Sequence, residues 1–338
     1  MRAYVITGPG EGAVQDVEAP AATAGNVVID VERVGVCGTD AAFYSGQMPF
    51  LHNGLAEYPL RLGHEWSGTV TAVGEGADAA LLGRRVTGDT MLGCGTCRRC
   101  LGGHQHVCEF RFEVGVRGGF PGALAEQLAM PARAIHPLPD ELDPDLGALV
   151  EPGGNALRAV WGAALTEGDR TLVLGAGTIG LLAAMFARAQ GAEVHLMGRS
   201  ERSLEFARTL GFDGVWTADE LPDLPFGAVI DASNGPALPA KALELVEPAG
   251  RVVYIGLAST PSLVDTRNLT LKDVTAVGVL SGSPSMSAAI DLFAAGAIDP
   301  RPLIGATVGL SAVGAVLSGE RPADAGPGPK MLVDPQSA

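Results

Sequence analysis

Residues 171–197 open with a short apolar run, Thr-Leu-Val-Leu, that enters Gly175-Ala-Gly177-Thr-Ile-Gly180, continues into a helix-forming stretch and meets a second strand pattern near Glu193. Gly-x-Gly-x-x-Gly alone is a weak signal, but in a strand–turn–helix–strand setting it marks a dinucleotide-binding unit. Gly175 permits the tight turn, Gly177 lets the backbone approach a pyrophosphate, and Gly180 lets helix and strand pack closely. The helix N-terminus then offers unpaired N–H groups to the phosphates. Apolar runs ending in small residues recur at 228–235, 250–257 and 274–280. The expected fold class is therefore α/β, a doubly wound parallel sheet with its ligand crevice at the carboxyl ends of the strands. Thr178 and Ile179 in the turn, and Gly256 and Leu257 at a later strand end, join the three glycines as candidate cofactor residues.

The second strand runs out as Leu196-Met197-Gly198-Arg199-Ser200-Glu201-Arg202. A site for NAD would place a carboxylate there to meet the free ribose hydroxyls. Here Gly198 leaves room, Arg199 offers a fork-shaped cation, and Ser200 and Arg202 add a hydroxyl and a second charge, which suits a 2′-phosphate. NADP is expected rather than NAD, with Glu201 as the counter-signal one helical step away. His195, inside the strand, reads as structural.

The chain has five cysteines, and four of them, Cys94, Cys97, Cys100 and Cys108, lie within 15 residues. An odd count packed this tightly is a poor disulfide framework. Two adjacent C-x2-C steps and a returning fourth thiolate suit a closed, tetrahedral structural zinc site. The alternatives are a metal-free loop or an iron–sulfur cluster. His104 and His106 read as solvent-facing loop residues. Arg98 and Arg99 hint at a nucleic-acid-binding zinc module, but no recognition helix or aromatic platform flanks them. The 38 acidic residues outnumber the 23 basic ones, which opposes attraction to nucleic acid or anionic membrane. No secretory leader pattern opens the chain. The apolar run from Leu172 to Ala187 is short for a bilayer span and carries the fingerprint glycines. A soluble, cytoplasmic protein is expected.

Cys37 stands apart in Val-Gly-Val-Cys37-Gly38-Thr39-Asp40; Gly63-His64-Glu65-Trp66-Ser67-Gly68 follows, and Glu151-Pro152 comes much later. Cysteine, histidine and carboxylate are all zinc ligands, but spacing alone does not show that these residues meet.

With these motifs in this order, the chain resembles the zinc-containing medium-chain dehydrogenases, the alcohol and polyol dehydrogenase family, over essentially its whole length. The resemblance implies a GroES-like β-barrel catalytic domain over 1–150, with a structural zinc lobe near 90–110, a Rossmann domain over 151–289, and a return to the catalytic domain over 290–338. It implies an active site in the cleft between the two domains. Carried over by motif, Cys37, His64, Glu65 and Glu151 are catalytic zinc ligands, with Glu65 or Glu151 binding directly or by exchange with water. Glu151 occupies the position where polyol-type members have Glu, which places the chain in the sorbitol- or threonine-dehydrogenase-like branch. Asp40 orients His64, and Thr39 relays the substrate proton once zinc has activated the hydroxyl.

The implied function is hydride transfer between a secondary alcohol (a polyol, sugar or cyclitol hydroxyl) and NADP, giving a ketone, with two Zn2+ per chain. The Gly63-to-Gly68 and Glu-Pro elements also resemble those of 2-deoxy-scyllo-inosamine dehydrogenases. The alternatives are an NAD-dependent secondary alcohol, diol or threonine-like amino-alcohol dehydrogenase, and a non-catalytic zinc-stabilised NADPH-binding protein. Threonine enzymes carry a histidine shortly after the Cys-Gly-Thr-Asp element, where this chain reads Ala41-Ala42-Phe43-Tyr44. Tyr44, Glu57 and Trp66 are candidates to border the substrate pocket. The partners implied are a small alcohol or ketone and further copies of the chain in a homodimer or homotetramer, with no nucleic acid and no membrane.

Overall fold

In the computed structural model, which describes residues 1–337, the chain forms two compact units: Met1–Glu151 with Pro300–Ala338, and Pro152–Asp299. The helix Met286–Ala294 stays with the second unit, where Phe293 stacks on Phe186 at 5.9 Å, so the return falls at Pro300 rather than near 290. Among the described residues, no helix is long and apolar enough to cross a membrane.

In the second unit, among the described residues, six parallel strands lie in the order Gly214–Trp216, Glu193–Met197, Arg170–Leu174, Phe226–Asp231, Val246–Tyr254, Thr275–Gly278. Numbered along the chain this is the doubly wound order 3-2-1-4-5-6, whose switch point falls between Arg170–Leu174 and Phe226–Asp231. Strands covered on both faces need no polar alternation, which is why Leu172, Val173 and Leu174 are all fully buried. The helix Thr178–Ala189 is built from Ala, Leu and Met, good helix formers, and is buried continuously from Gly180 to Ala187.

In the first unit, among the described residues, a seven-stranded sheet takes the order Ile304–Gly309, Lys330–Asp334, Asn26–Val36, Glu65–Val73, Arg85–Gly88, Ile135–Pro137, with Gln127–Pro131 also pairing Asn26–Val36. Its core gathers Ile29, Val34, Phe43, Leu62, Trp66, Leu128 and Met130. The registers that matter are Gly35 opposite Glu65 and Met331 opposite Val36. They bring the ends of three strands, far apart in sequence, to one place.

Candidate active site and metal centres

Cys37 follows the strand Asn26–Val36 and serves as the N-cap of the helix Gly38–Tyr44. Its backbone N–H donates to Asp40 Oδ2 at 2.9 Å, so the carboxylate of the first helical turn closes a capping box. Asp40 is fully buried, and its other oxygen lies 3.5 Å from His64 Nδ1. The Cys37 sulfur, a His64 nitrogen and a Glu65 carboxylate oxygen all lie within 4.8 Å of one another. Soft sulfur, imidazole and carboxylate at that spacing form a donor set that fits zinc. His64 and Glu65 are buried while Cys37 is partly exposed, so the group has an accessible side.

The electrostatics favour a cation. Burial pulls the His64 imidazole down, but the Asp40 carboxylate and Cys37 outweigh it and hold its pKa well above the usual histidine range. The surroundings of that ring are thus organised for positive charge, which a metal ion supplies as well as a proton does. Thr39 lies in the first turn beside Cys37 and is partly exposed.

Glu151 lies outside the close trio, in the first turn of the helix Val150–Ala163. It is buried, with Oε1 3.4 Å from Thr90 Oγ1; that hydroxyl also lies 3.1 Å from the His64 carbonyl. Thr90 thereby ties Glu151 to the backbone of His64.

The sequence reading missed Lys330. This lysine is only 3% exposed, yet Nζ sits 2.5 Å from Glu65 Oε2 and 3.1 Å from the Val36 carbonyl. Burial pulls its pKa down, but Glu65, Cys37 and Asp40 together raise it above the usual lysine value, so it is an ammonium paired with the Glu65 carboxylate. A lysine opening the apolar run Met331-Leu332-Val333 was the available signal. Gly35 was missed too: a Cβ there would fall 2.2 Å from Glu65 Oε2, so the glycine before Val36 clears the space that the carboxylate fills.

The four lobe cysteines also converge. Their sulfurs are 3.6 Å (Cys97–Cys100), 3.8 Å (Cys97–Cys108) and 3.9 Å (Cys94–Cys100) apart. Zinc–sulfur bonds of about 2.3 Å in a tetrahedron require sulfurs about 3.8 Å apart, so this donor set fits zinc closely. Backbone N–H groups of Cys97, Cys100 and Cys94 point at sulfurs at 3.4–3.5 Å. Hydrogen bonds from Thr96 and from the Cys97 backbone bring the Cys94 thiol down to about 6, whereas burial pushes Cys100 up to about 11.

His104 is exposed as expected, but His106 is 3% exposed and stacks on His104 at 6.0 Å, because the 3-10 turn Gln105–Val107 folds it inward. Trp66 is not a pocket residue: it is fully buried in the core of the first unit, pointing inward from a strand register that sets Val34 opposite it. Tyr44 donates to the Gly10 carbonyl at 2.9 Å, and Glu57 is exposed.

In the second unit, Gly175 has φ +109°, and a Cβ on Gly180 would fall 1.9 Å from the Gly175 carbonyl oxygen. Gly177, the N-cap of Thr178–Ala189, has open space where a side chain would stand. Thr178 and Ile179 form the first turn of that helix. Gly198 follows the strand Glu193–Met197; Arg199 and Arg202 are exposed, and Ser200 caps the helix Glu201–Thr209 by accepting from Ser203 N–H at 3.2 Å. Glu201 is paired with Arg208 at 2.5 Å, with both side chains exposed. Gly256 and Leu257 follow the strand Val246–Tyr254, and Leu257 is exposed.

The family profile "Alcohol dehydrogenase GroES-like domain" matches residues 23–140, and "Zinc-binding dehydrogenase" matches 178–295. An L-threonine 3-dehydrogenase of Saccharopolyspora erythraea is 33% identical, covering 82% of this chain and 83% of its own length. The starvation-sensing protein RspB of Escherichia coli is 31% identical over 81% of this chain and 82% of its own. The structure of an Escherichia coli RspB with NADH superposes with TM-score 0.90 at 28% identity, and that of a zinc-binding dehydrogenase of Sinorhizobium meliloti bound to NADP with TM-score 0.89 at 26%; each covers 99% of both chains. The sorbitol- and threonine-dehydrogenase-like branch fits these relatives. The chain is an oxidoreductase that belongs to the zinc-binding alcohol dehydrogenase family.

Proposed function

We propose that this enzyme transfers a hydride between a secondary alcohol (a hydroxyl of a polyol, sugar or cyclitol) and NADP, releasing a ketone. The convergence of Cys37, His64 and Glu65 within 4.8 Å carries this reading. Zinc held by these residues would supply a Lewis acid for the hydroxyl, and the nicotinamide would supply the hydride acceptor. Asp40 orients the His64 ring and leaves its other nitrogen for the metal. Lys330 balances the Glu65 carboxylate, and Glu151, tethered by Thr90, is a reserve carboxylate. Among the described residues, the Thr39 hydroxyl makes no hydrogen bond, so Oγ1 is available to accept the substrate proton while its own passes to solvent. The alcohol carbon gives up its hydride as the proton leaves, and the ketone remains.

Arg199 and Arg202, both exposed, support NADP over NAD. The tetrad would hold a second, structural zinc. The strand Thr275–Gly278 lies at an edge of its sheet with Thr275, Ala276 and Gly278 exposed, a free edge on which another copy can pair; we assign a homodimer or homotetramer, working in the cytoplasm. Several relatives are L-threonine 3-dehydrogenases, which favours an amino alcohol as the second reading.

The test is the initial rate of nicotinamide reduction at 340 nm, with zinc-loaded protein, NADP and NAD in parallel, and a panel of polyols, aldoses, aminocyclitols, threonine and short secondary alcohols. A polyol or cyclitol is expected to react fastest, with NADP. A faster rate with threonine would replace the first reading by the second, and a preference for NAD would overturn the assignment of Arg199 and Arg202. Silence across the panel with metal analysis giving one zinc per chain would favour a non-catalytic NADPH-binding protein.

A further inference from the structure

A polar chain crosses three neighbouring strands of the second unit. Trp216 Nε1 donates to His195 Nδ1 at 3.0 Å, and His195 Nε2 lies 2.9 Å from Glu193 Oε1. Arg170 clamps the same carboxylate through Nε and Nη2 at 2.6 and 2.9 Å. The registers put Arg170 opposite Glu193, His195 opposite Gly214, and Met197 opposite Trp216. Residues two apart on a strand share a face, so Gly214 and Trp216 lie on one side, as do Glu193 and His195. A Cβ on Gly214 would stand 2.5 Å from His195 Nδ1 and 2.4 Å from Trp216 Nε1. The indole therefore folds back across Gly214 to reach the imidazole, with the two ring planes within 12° of parallel, while Phe226 meets the imidazole edge-on at 5.5 Å.

An indole N–H can only donate, so Nδ1 must accept and the imidazole proton sits on Nε2, facing Glu193. Arg170 first, and His195 with it, hold the Glu193 carboxyl down to about 2, so the acceptor at the end of the chain stays ionised.

This chain braces a weak element. Gly214–Trp216 is three residues long and forms the sheet edge beyond Glu193–Met197; so short a strand, paired on one side, frays easily. Yet the Trp216 carbonyl accepts the N–H of Gly198 at 3.0 Å, and Gly198 opens the short turn through Arg199 and Ser200 into the helix Glu201–Thr209.

We propose that the His195–Trp216 contact is a latch that positions the adenosine end of the dinucleotide, acting through the Trp216 carbonyl on Gly198 and so on Arg199 and Ser200. The proposal rests on reading 198–202, the turn and the first residues of the helix Glu201–Thr209, as the segment that receives the adenosine ribose. His195 and Trp216 are positioning residues and not catalytic ones.

The test uses three variants of the zinc-loaded enzyme. His195→Phe keeps an aromatic ring but can neither accept nor donate, His195→Gln restores one acceptor and one donor, and Trp216→Phe removes the N–H alone. Dissociation constants for NADP, NAD and adenosine 2′,5′-bisphosphate are measured by calorimetry, and KM for cofactor and for alcohol by steady-state kinetics. His195→Phe and Trp216→Phe are expected to weaken dinucleotide binding about tenfold, the loss of about 1.4 kcal/mol. KM for the alcohol and kcat at saturating cofactor should stay within about twofold, and His195→Gln should recover most of the loss. Wild-type affinity in both Phe variants would overturn the latch, as would equal losses for alcohol and cofactor; if His195→Phe does not fold, Trp216→Phe and His195→Gln decide. The reading beneath it fails separately. A wild-type enzyme preferring NAD, or indifferent to Arg199→Ala, removes the phosphate assignment, while a loss of NAD affinity in the Phe variants still supports the latch.

Discussion

The two cysteine-bearing centres of the first unit use the same element in opposite ways. The tetrad draws all its donors from one short lobe, 94–108, all of them sulfur, with backbone N–H groups filling the space around them. The trio draws sulfur, nitrogen and oxygen from the ends of different strands and is backed by a buried aspartate and a buried lysine. Four sulfurs close a coordination sphere and leave nothing to react, whereas three mixed donors leave a position open. The difference predicts that one centre serves the fold and the other serves the reaction, and each substitution below can break that division.

The largest effect belongs to His64→Ala. Alcohol oxidation should fall well beyond the about 10–100-fold that losing an outer partner of a metal ligand costs, while NADP binding, measured by calorimetry, persists. Unchanged turnover would end the metal mechanism for the trio. Cys97→Ser should do the reverse. Loss of the tetrad's metal is expected to remove several kcal/mol of folding energy, a fall in Tm of roughly 10 °C for a domain of this size, with turnover per folded molecule preserved. A variant that melts normally but has lost activity would show that the lobe is not merely structural.

Lys330→Met tests how much the trio depends on a distant strand. Removing one partner of a buried ion pair leaves an uncompensated charge at about 3–5 kcal/mol, so the metal-free variant should unfold at distinctly lower urea than the metal-free wild type. Equal midpoints would mean that Glu65 finds another partner. Asp40→Asn should be milder. An amide oxygen can still cap Cys37, but the charge facing His64 is gone, and zinc affinity in a chelator competition should weaken about 10–100-fold with the tetrad's zinc retained.

These two residues also show what a sequence discloses. Asp40 was legible because it lies three positions from Cys37, and the capping box that fixes it is a local motif. The fingerprint glycines were legible for the same reason: the turn at Gly175 and the approach of Gly180 are settled within six residues. Lys330 was not, because it lies 265 positions from Glu65 and only the pairing of Lys330–Asp334 with Asn26–Val36 brings it there. Burial misled in the same way for Trp66 and His106. Trp66 follows Glu65 and His106 lies two positions before Cys108, but the pleat of a strand turns the first into the core and a single 3-10 turn folds the second inward.

The smallest expected effect separates the sulfurs within the tetrad. In protein stripped of metal by chelation, the four thiols no longer share a cation, and local hydrogen bonds decide which one ionises. Thr96 and the Cys97 backbone lower Cys94 to about 6, and Cys94 is exposed. At pH 7.5 it should therefore exist mainly as thiolate and be the first lobe cysteine alkylated by iodoacetamide, since the thiolate is the nucleophile. Cys100, pushed up to about 11 by burial, should lag in peptide mass spectrometry and catch up only as the pH approaches its own titration. Lowering the pH from 7.5 to 5 crosses the Cys94 value from above, so its labelling should slow in step with loss of the thiolate. In zinc-loaded protein the tetrad should resist labelling altogether while Cys37, partly exposed beside the open position, still reacts. A loaded protein in which Cys94 is alkylated as fast as Cys37 would show that the lobe does not hold its metal as a closed site, and the contrast between the two centres would fail at its base.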